Sequence, residues 1–216
     1  MVVKSQIKFI KSLQQKKNRA EQKLFVAEGS KTVLELYRSN LEPYKIYISD
    51  PVLQEVDSKF LEMVTASELK QMSSLKTPNQ VLGVFRMPTL KEVDFTDWIV
   101  ALDDVRDPGN LGTIIRLCDW FGINHMLCSP HTVDCYNPKV LQATMGSIAR
   151  VNIIYADLEI LFQNTDIPVY GSFMDGNPVY SEYLPTSGIL VMGNEANGIS
   201  PEIQKLVTKK IGIPQY

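Results

Sequence analysis

The feature that most constrains this chain is a rhythm that begins near residue 98: short apolar runs, each followed by a helical pattern, recur to the end. The runs lie at 98–102, 125–128, 151–154, 168–173, 189–192 and 210–213. Apolar residues in unbroken runs suit strands buried on both faces, and their alternation with helices predicts an α/β fold with a parallel sheet between helical layers. Open sheets of this kind bind ligands in the loops that leave the carboxyl ends of their strands. Chemistry is therefore expected in the loops after these runs.

The first ninety residues read differently. Ile7, Ile10 and Leu13 recur at helical spacing among lysines, which predicts an opening amphipathic helix that frays near Asn18. Strands are expected at 25–27, 45–48, 62–65 and 81–85, and a helix at 31–38. Thr65 followed by Glu68 has the spacing of a capping box, in which each residue satisfies a backbone N–H of the other, so a helix should start before Leu69. The polar stretch 87–92, with Pro88 inside it, is the expected linker. Together these predict a small α/β domain over residues 1–90 and a parallel-sheet domain over residues 91–216.

A net charge of −2 speaks against a protein that coats nucleic acid with a uniformly basic surface. The average hides a polarity. Residues 1–24 carry seven lysines and arginines against Glu21 alone, a net of +6, which leaves −8 for the other 192 residues. A basic edge holding phosphates, with Lys16, Lys17 and Arg19 at its centre, fits this pattern, as does a solvated helix face. Three cysteines exclude a complete intramolecular disulfide framework and suit a reducing compartment. With no long apolar span or signal segment in view, a cytoplasmic protein without a membrane anchor is expected.

Two segments carry most of the chemical information. In the first, Asp103-Asp104-Val105-Arg106-Asp107-Pro108-Gly109-Asn110-Leu111-Gly112 joins the run at 98–102 to a helix that holds Arg116. Its glycines permit a tight turn and close backbone approach, and unpaired N–H groups at the start of the helix suit an anion. The glycine spacing is not that of a dinucleotide fingerprint, and no P-loop lysine supports nucleotide hydrolysis. In the second, the run at 189–192 ends in Gly193-Asn194-Glu195, with Gly198 and then Ser200-Pro201 as the N-cap and first residue of another helix. A carboxylate at a strand end is either exposed or engaged by partners, because burial without them is costly.

With these residues in place the chain resembles the SpoU-TrmH class of RNA ribose methyltransferases. Asp107 to Gly112 with Arg116 is similar to the first motif of that family, and Gly193-Asn194-Glu195 with Gly198 to the second. Asn137-Pro138-Lys139-Val140 with Ala143, Gly146 and Ser147 resembles the intervening helix, and Ile211-Gly212-Ile213-Pro214 the opening of the third motif. Upstream, Lys16, Lys17, Arg19, Phe25, Glu28 and Gly29, and later 80–84, are similar to the small substrate-binding domain that precedes the catalytic one. The family's third motif runs on into a Ser-Leu-Asn segment and a final helix threaded as a trefoil knot. The sequence stops at Gln215-Tyr216. The knot-forming segment is thus expected to be missing here, which leaves a natural protein that continues past Tyr216 or a degenerate enzyme.

The resemblance implies transfer of a methyl group from S-adenosylmethionine to a ribose 2′-hydroxyl of rRNA or tRNA, without metal, by a homodimer. It assigns Arg116, Asn110 and Glu195 to the catalytic centre: Arg116 gripping the phosphate beside the target ribose, Asn110 orienting Arg116 or the ribose, and Glu195 steadying the loop. It gives the cofactor to Gly193, Asn194, Ile213 and Pro214, with Gly171 and Ser172 as weaker candidates. The alternative is a non-catalytic RNA-binding protein that keeps the fold. Cys118, His125, Cys128, His131 and Cys135 crowd together but lack paired metal-ligand spacing, so scattered positions are expected. Trp98, Trp120 and Phe121 are expected in the core.

Overall fold

The computed structural model describes residues 3–214. The chain forms two compact units, one of residues 1–89 with 134–149 and one of residues 90–133 with 150–216.

In the first unit the strands are β1 (Leu24–Glu28), β2 (Pro43–Ile48), β3 (Leu61–Met63) and β4 (Val81–Arg86), in the order β1-β4-β2-β3. The first three in that order pair antiparallel, and β3 lies parallel to β2. Strand alternation sends Leu24, Leu82 and Val84 to one face, where they pack with Ile10 and Leu13 near the N-terminus and with Leu69 and Met72 of α4 (Ala66–Met72). The opposite face carries Phe25, which touches Phe85 at 5.9 Å and Tyr136 at 4.8 Å between ring centroids. Also on that side, α3 (Ser30–Arg38) packs on β1 and β4, and α6 (Pro138–Thr144) packs on β1. The capping box expected at Thr65 is present: Thr65 Oγ1 accepts from the Glu68 N–H at 3.1 Å, and Glu68 Oε2 from the Thr65 N–H at 2.8 Å.

The opening helix differs from expectation. It is two helices, α1 (Lys4–Ser12) and α2 (Lys16–Gln22), broken at Leu13–Gln15. Burial of Leu13 turns the chain inward, Gln15 is extended at φ −90° and ψ 131°, and the carbonyls freed at the break find side-chain donors. Asn18 donates to the Ser12 carbonyl at 2.9 Å, and Arg19 to those of Leu13 and Gln14 at 2.9 and 2.7 Å.

The second unit holds β5 (Trp98–Leu102), β6 (His125–Cys128), β7 (Asn152–Tyr155), β8 (Val169–Pro178), β9 (Gly188–Met192) and β10 (Lys209–Gly212). All neighbours pair parallel, in the order β10-β8-β9-β5-β6-β7. One face of the sheet packs Ile99, Ala101, Leu127, Ile189 and Val191 against Leu158 and Phe162 of α7 (Leu158–Gln163) and Ile203 of α8 (Pro201–Gln204). The long helix α5 (Pro108–Phe121) packs on β6 and buries Leu111, Ile115 and Cys118. β8 extends five residues beyond the expected 168–173 run, because it pairs with β10 twice around a register shift, at Lys209–Lys210 and again at Ile211–Gly212. Gly176 makes the second pairing possible: a Cβ there would lie 2.3 Å from the Ile211 carbonyl carbon.

Two aromatic residues expected in the core are not there. Trp120 and Phe121 are 83 % and 73 % exposed at the end of α5, because the buried stripe of that helix runs through Leu111, Ile115 and Cys118 and leaves both on the outer side. Trp98 does pack inward, 5.3 Å from Tyr170, and its indole N–H donates to the Pro185 carbonyl at 3.1 Å. Among the described residues no helix is long and apolar enough to cross a membrane.

Candidate active site at the carboxyl edge of the parallel sheet

Because β9 and β5 are adjacent and parallel, the loops that follow them leave the sheet side by side. The first runs from Asp103 to Asp107 and the second from Gly193 to Ser200. Asp107 is the N-cap of α5, accepting from the Asn110 N–H at 2.8 Å, and Pro108 occupies the first helical position. This places Asn110 in the first turn with its side chain free to turn toward the second loop. Its amide donates to Glu195 Oε1 at 2.7 Å, a hydrogen bond that spans 85 positions of sequence.

Further bonds lace the loops together. Asn194 donates to the Asp104 carbonyl at 2.8 Å and accepts from the Ala196 and Asn197 N–H groups at 3.0 and 3.1 Å. Its own backbone pairs with Gly198 in both directions. That closure needs glycine at 193, where a Cβ would lie 2.1 Å from the Gly198 carbonyl carbon. Asp103 is 6 % exposed and accepts from the Ser200 N–H at 2.7 Å, which ties the end of the second loop back to the end of β5. Asp104, at φ 57°, is bonded through its N–H to Ser129 Oγ and pairs with Arg106 at 2.8 Å, which raises the guanidinium pKa above its ordinary value.

Arg116 lies in the third turn of α5, deeper along the helix than its sequence position after the loop suggested, because the helix already starts at Pro108. It is exposed and makes no side-chain hydrogen bond or ion pair with another described residue. Asn110 therefore bonds Glu195 here and does not orient Arg116.

The cofactor candidates fall on β8, β9 and β10, which are consecutive in the sheet. Gly193 and Asn194 follow β9, Ile213 and Pro214 follow β10, and Gly171 and Ser172 lie in β8 where its pairing with β10 shifts. Ile213 is 72 % exposed and Ser172 is exposed, while Gly171 is buried against Phe173 and Val207. Gly171 and Ser172 were expected in a strand-end loop, but β8 runs on to Pro178 because it pairs a second time with β10. The small residues and backbone groups after β9 and β10, with the uncovered Ile213, fit a nucleoside-bearing cofactor held mainly by the main chain.

Among the basic candidates, Lys16 and Lys17 are exposed on α2. Arg19 is not available as expected. It is 3 % exposed, its guanidinium serves the two carbonyls at the α1–α2 break, and it pairs with Asp134. Spacing among lysines made it look like a surface cation; the orphan carbonyls of a helix end turned it inward. The crowded Cys and His residues form no metal-holding group among the described residues. His125 instead sits in β6 with Asn152 Nδ2 3.2 Å from its Nδ1, and burial pushes the Cys118 thiol up to about 12. Asp103 opens the first of the two sequence stretches but was given no role there. An acidic residue directly after a buried strand was its only signal.

A parallel sheet whose carboxyl edge carries these two interlocked loops defines an α/β protein with its candidate site where such sheets bind ligands. The chain belongs to the SpoU rRNA Methylase family, which it matches over residues 97–216; residues 4–83 match the MRM3-like substrate binding domain. It is 26 % identical over 97 % of its length to the Bacillus subtilis 23S rRNA (guanosine(2553)-2′-O)-methyltransferase RlmP, covering 87 % of that protein. It is 27 % identical over 63 % of its length to mouse mitochondrial rRNA methyltransferase 3, of which it covers only 36 %. A solved structure from Porphyromonas gingivalis assigned to the TrmH family of RNA methyltransferases superposes with a TM-score of 0.90 at 36 % identity, covering all of this chain and 90 % of that one. An AdoMet-bound rRNA methyltransferase from Sinorhizobium meliloti superposes with a TM-score of 0.86 at 28 % identity, covering 100 % of this chain and 88 % of that one.

Proposed function

We propose that the chain transfers a methyl group from S-adenosylmethionine to a ribose 2′-hydroxyl of rRNA or tRNA. The observation that carries this reading is the Asn110–Glu195 hydrogen bond, which joins the first and second motifs at one edge of the sheet. S-adenosylmethionine held there would supply an electrophilic methyl group on a sulfonium, whose sulfur would keep the bonding pair while the ribose hydroxyl gives up its proton. The protein's share is to place, hold and exclude. Gly193, Asn194, Ile213 and Pro214 hold the cofactor through backbone groups that follow β9 and β10, with Gly171 and Ser172 contributing from within β8. Arg116 grips the phosphate beside the ribose with its planar guanidinium and stabilises the oxygen as it loses its proton. Asn110 and Glu195 keep the two loops in register, and the phosphate or a water takes the proton.

In the same reading residues 1–90 hold RNA and residues 91–216 perform the transfer. Lys16 and Lys17 contact phosphates, and Arg19 supports the helix break beside them. The active form is a homodimer, supported by the exposed apolar side chains Leu117, Trp120 and Phe121 on α5. A cytoplasmic, reducing location suits three buried cysteines with no disulfide among them.

The Arg116 assignment is tested by substitution. Arg116→Ala is expected to lower single-turnover methyl transfer roughly 100-fold or more, the usual loss of one transition-state donor, while S-adenosylmethionine affinity measured by calorimetry stays within twofold, the ~0.4 kcal/mol expected of an exposed side chain outside the cofactor loops. Arg116→Lys should recover little, since an ammonium lacks the planar fork. Near-normal turnover in the lysine variant contradicts the assignment.

A further inference from the structure

The first unit carries a cluster of one cation and two aromatic side chains with no part in the proposed transfer. Phe9 of α1 is partly buried against the core, and Tyr44 of β2 rests on it with ring centroids 6.2 Å apart and planes at 52°. The guanidinium of Arg86, at the end of β4, lies over the Tyr44 ring at 5.6 Å. Arg86 Nε donates to Glu42 at 3.0 Å, and the Arg86 N–H donates to the Glu42 carbonyl at 3.0 Å, so both backbone and side chain of the arginine are fixed. Tyr44 is nevertheless 46 % exposed and the Arg86 side chain 51 %.

A cluster of this kind needs a reason to be on the surface. An exposed cation–π contact contributes only about 0.5–1 kcal/mol, so its value to fold stability is small. Its surroundings are cationic. Lys23 is the residue before β1, its carbonyl accepts from the Met87 N–H at 2.8 Å, and β1 pairs Leu24 with Arg86, so a lysine flanks the cluster. Phe9 itself lies between Lys8 and Lys11 on α1, within the stretch of residues 1–24 whose net charge is +6. A half-exposed aromatic ring with a planar guanidinium over it, beside lysines, is what an unpaired nucleotide meets in single-strand recognition: the lysines take the phosphates and the planar groups take the base. A-form duplex cannot use it, because its bases are already stacked inside the helix.

We infer that Phe9, Tyr44 and Arg86 form a stacking platform for one unpaired base of the substrate RNA, so that the first unit selects a loop or bulge over plain duplex. This rests on the proposed RNA substrate. The base lies on the outer face of the Arg86 guanidinium. Glu42 keeps that face flat and neutralises part of its charge, so the site binds by stacking more than by phosphate attraction.

The test compares two RNA probes with the full chain in the presence of S-adenosylmethionine: a hairpin whose loop carries 2-aminopurine, and a fully paired duplex of the same stem. The wild type should quench the loop fluorophore. Tyr44→Ala should weaken hairpin binding about tenfold, the loss of one stacked base, and change duplex binding less than twofold, under ~0.4 kcal/mol. Tyr44→Phe should bind like the wild type, and Arg86→Lys, which keeps the charge but not the plane, should behave like Tyr44→Ala. The slope of log affinity against log salt should be unchanged in Tyr44→Ala and shallower in Lys17→Glu. Equal losses on hairpin and duplex, no loss on either, or an unquenched fluorophore overturns the platform while leaving the RNA reading intact. A wild type that binds neither probe overturns both. Loss of self-association in Tyr44→Ala without loss of hairpin affinity assigns the patch to a protein partner.

Discussion

Asp103 holds the Ser200 N–H from a buried position at the end of β5, so one carboxylate fixes where the second loop must end. Removing it leaves a half-buried donor without its partner, which costs about 1 kcal/mol, the low end for an unsatisfied group. Asp103→Ala is therefore expected to lower the melting temperature by a few degrees and to weaken S-adenosylmethionine binding, whereas Asp103→Asn, which keeps an acceptor oxygen, should lose less of both. Calorimetric melting and titration check this, and an alanine variant with unchanged melting and affinity contradicts the role. At this scale the sequence was partly legible. Asn110 and Glu195 stood out as polar residues beside glycines, and they do meet. Arg19 misled, since nothing in its neighbours reveals that a helix break at Leu13–Gln15 presents two carbonyls for it to serve. The role of Asp103 was invisible because its partner lies 97 positions away.

Helix α5 shows what an element reveals and what it hides. That a helix holding Arg116 follows the first motif was legible, but its start was not: 107–112 read as a turn, whereas Asp107 caps a helix that already begins at Pro108 and runs to its C-cap Gly122, which adopts φ 73°. Nor was its outer face. Trp120 and Phe121 look like core residues by composition, but a helix with a narrow buried stripe has only so many inward positions, and Leu111, Ile115 and Cys118 fill them. The apolar end that remains exposed is the surface proposed to meet a second copy. Trp120→Glu with Phe121→Ser should shift the protein toward monomer in sedimentation velocity while far-ultraviolet circular dichroism stays the same. A dimer that persists with full strength in the double variant contradicts this interface.

Over the whole molecule the six strands of the second unit were legible because each is a compact apolar run, and the periods of strand and helix alternate cleanly. The order in which they pair was not, since β10, β8 and β9 become neighbours through long crossovers that leave no local trace. Nor was the grouping of residues 134–149 with the first unit, which depends on Tyr136 reaching Phe25 more than a hundred positions away. The account that joins both units holds that this fold moves a methyl group onto ribose. The direct measurement is to incubate the full chain and S-adenosylmethionine with total RNA from cells that lack the gene, then to digest the RNA and identify methylated nucleosides by mass spectrometry. The account predicts a single new 2′-O-methylated nucleoside, at an alkali-resistant linkage, absent with Arg116→Ala. A methyl group found on a base, or no methylated nucleoside despite measured cofactor and RNA binding, contradicts it.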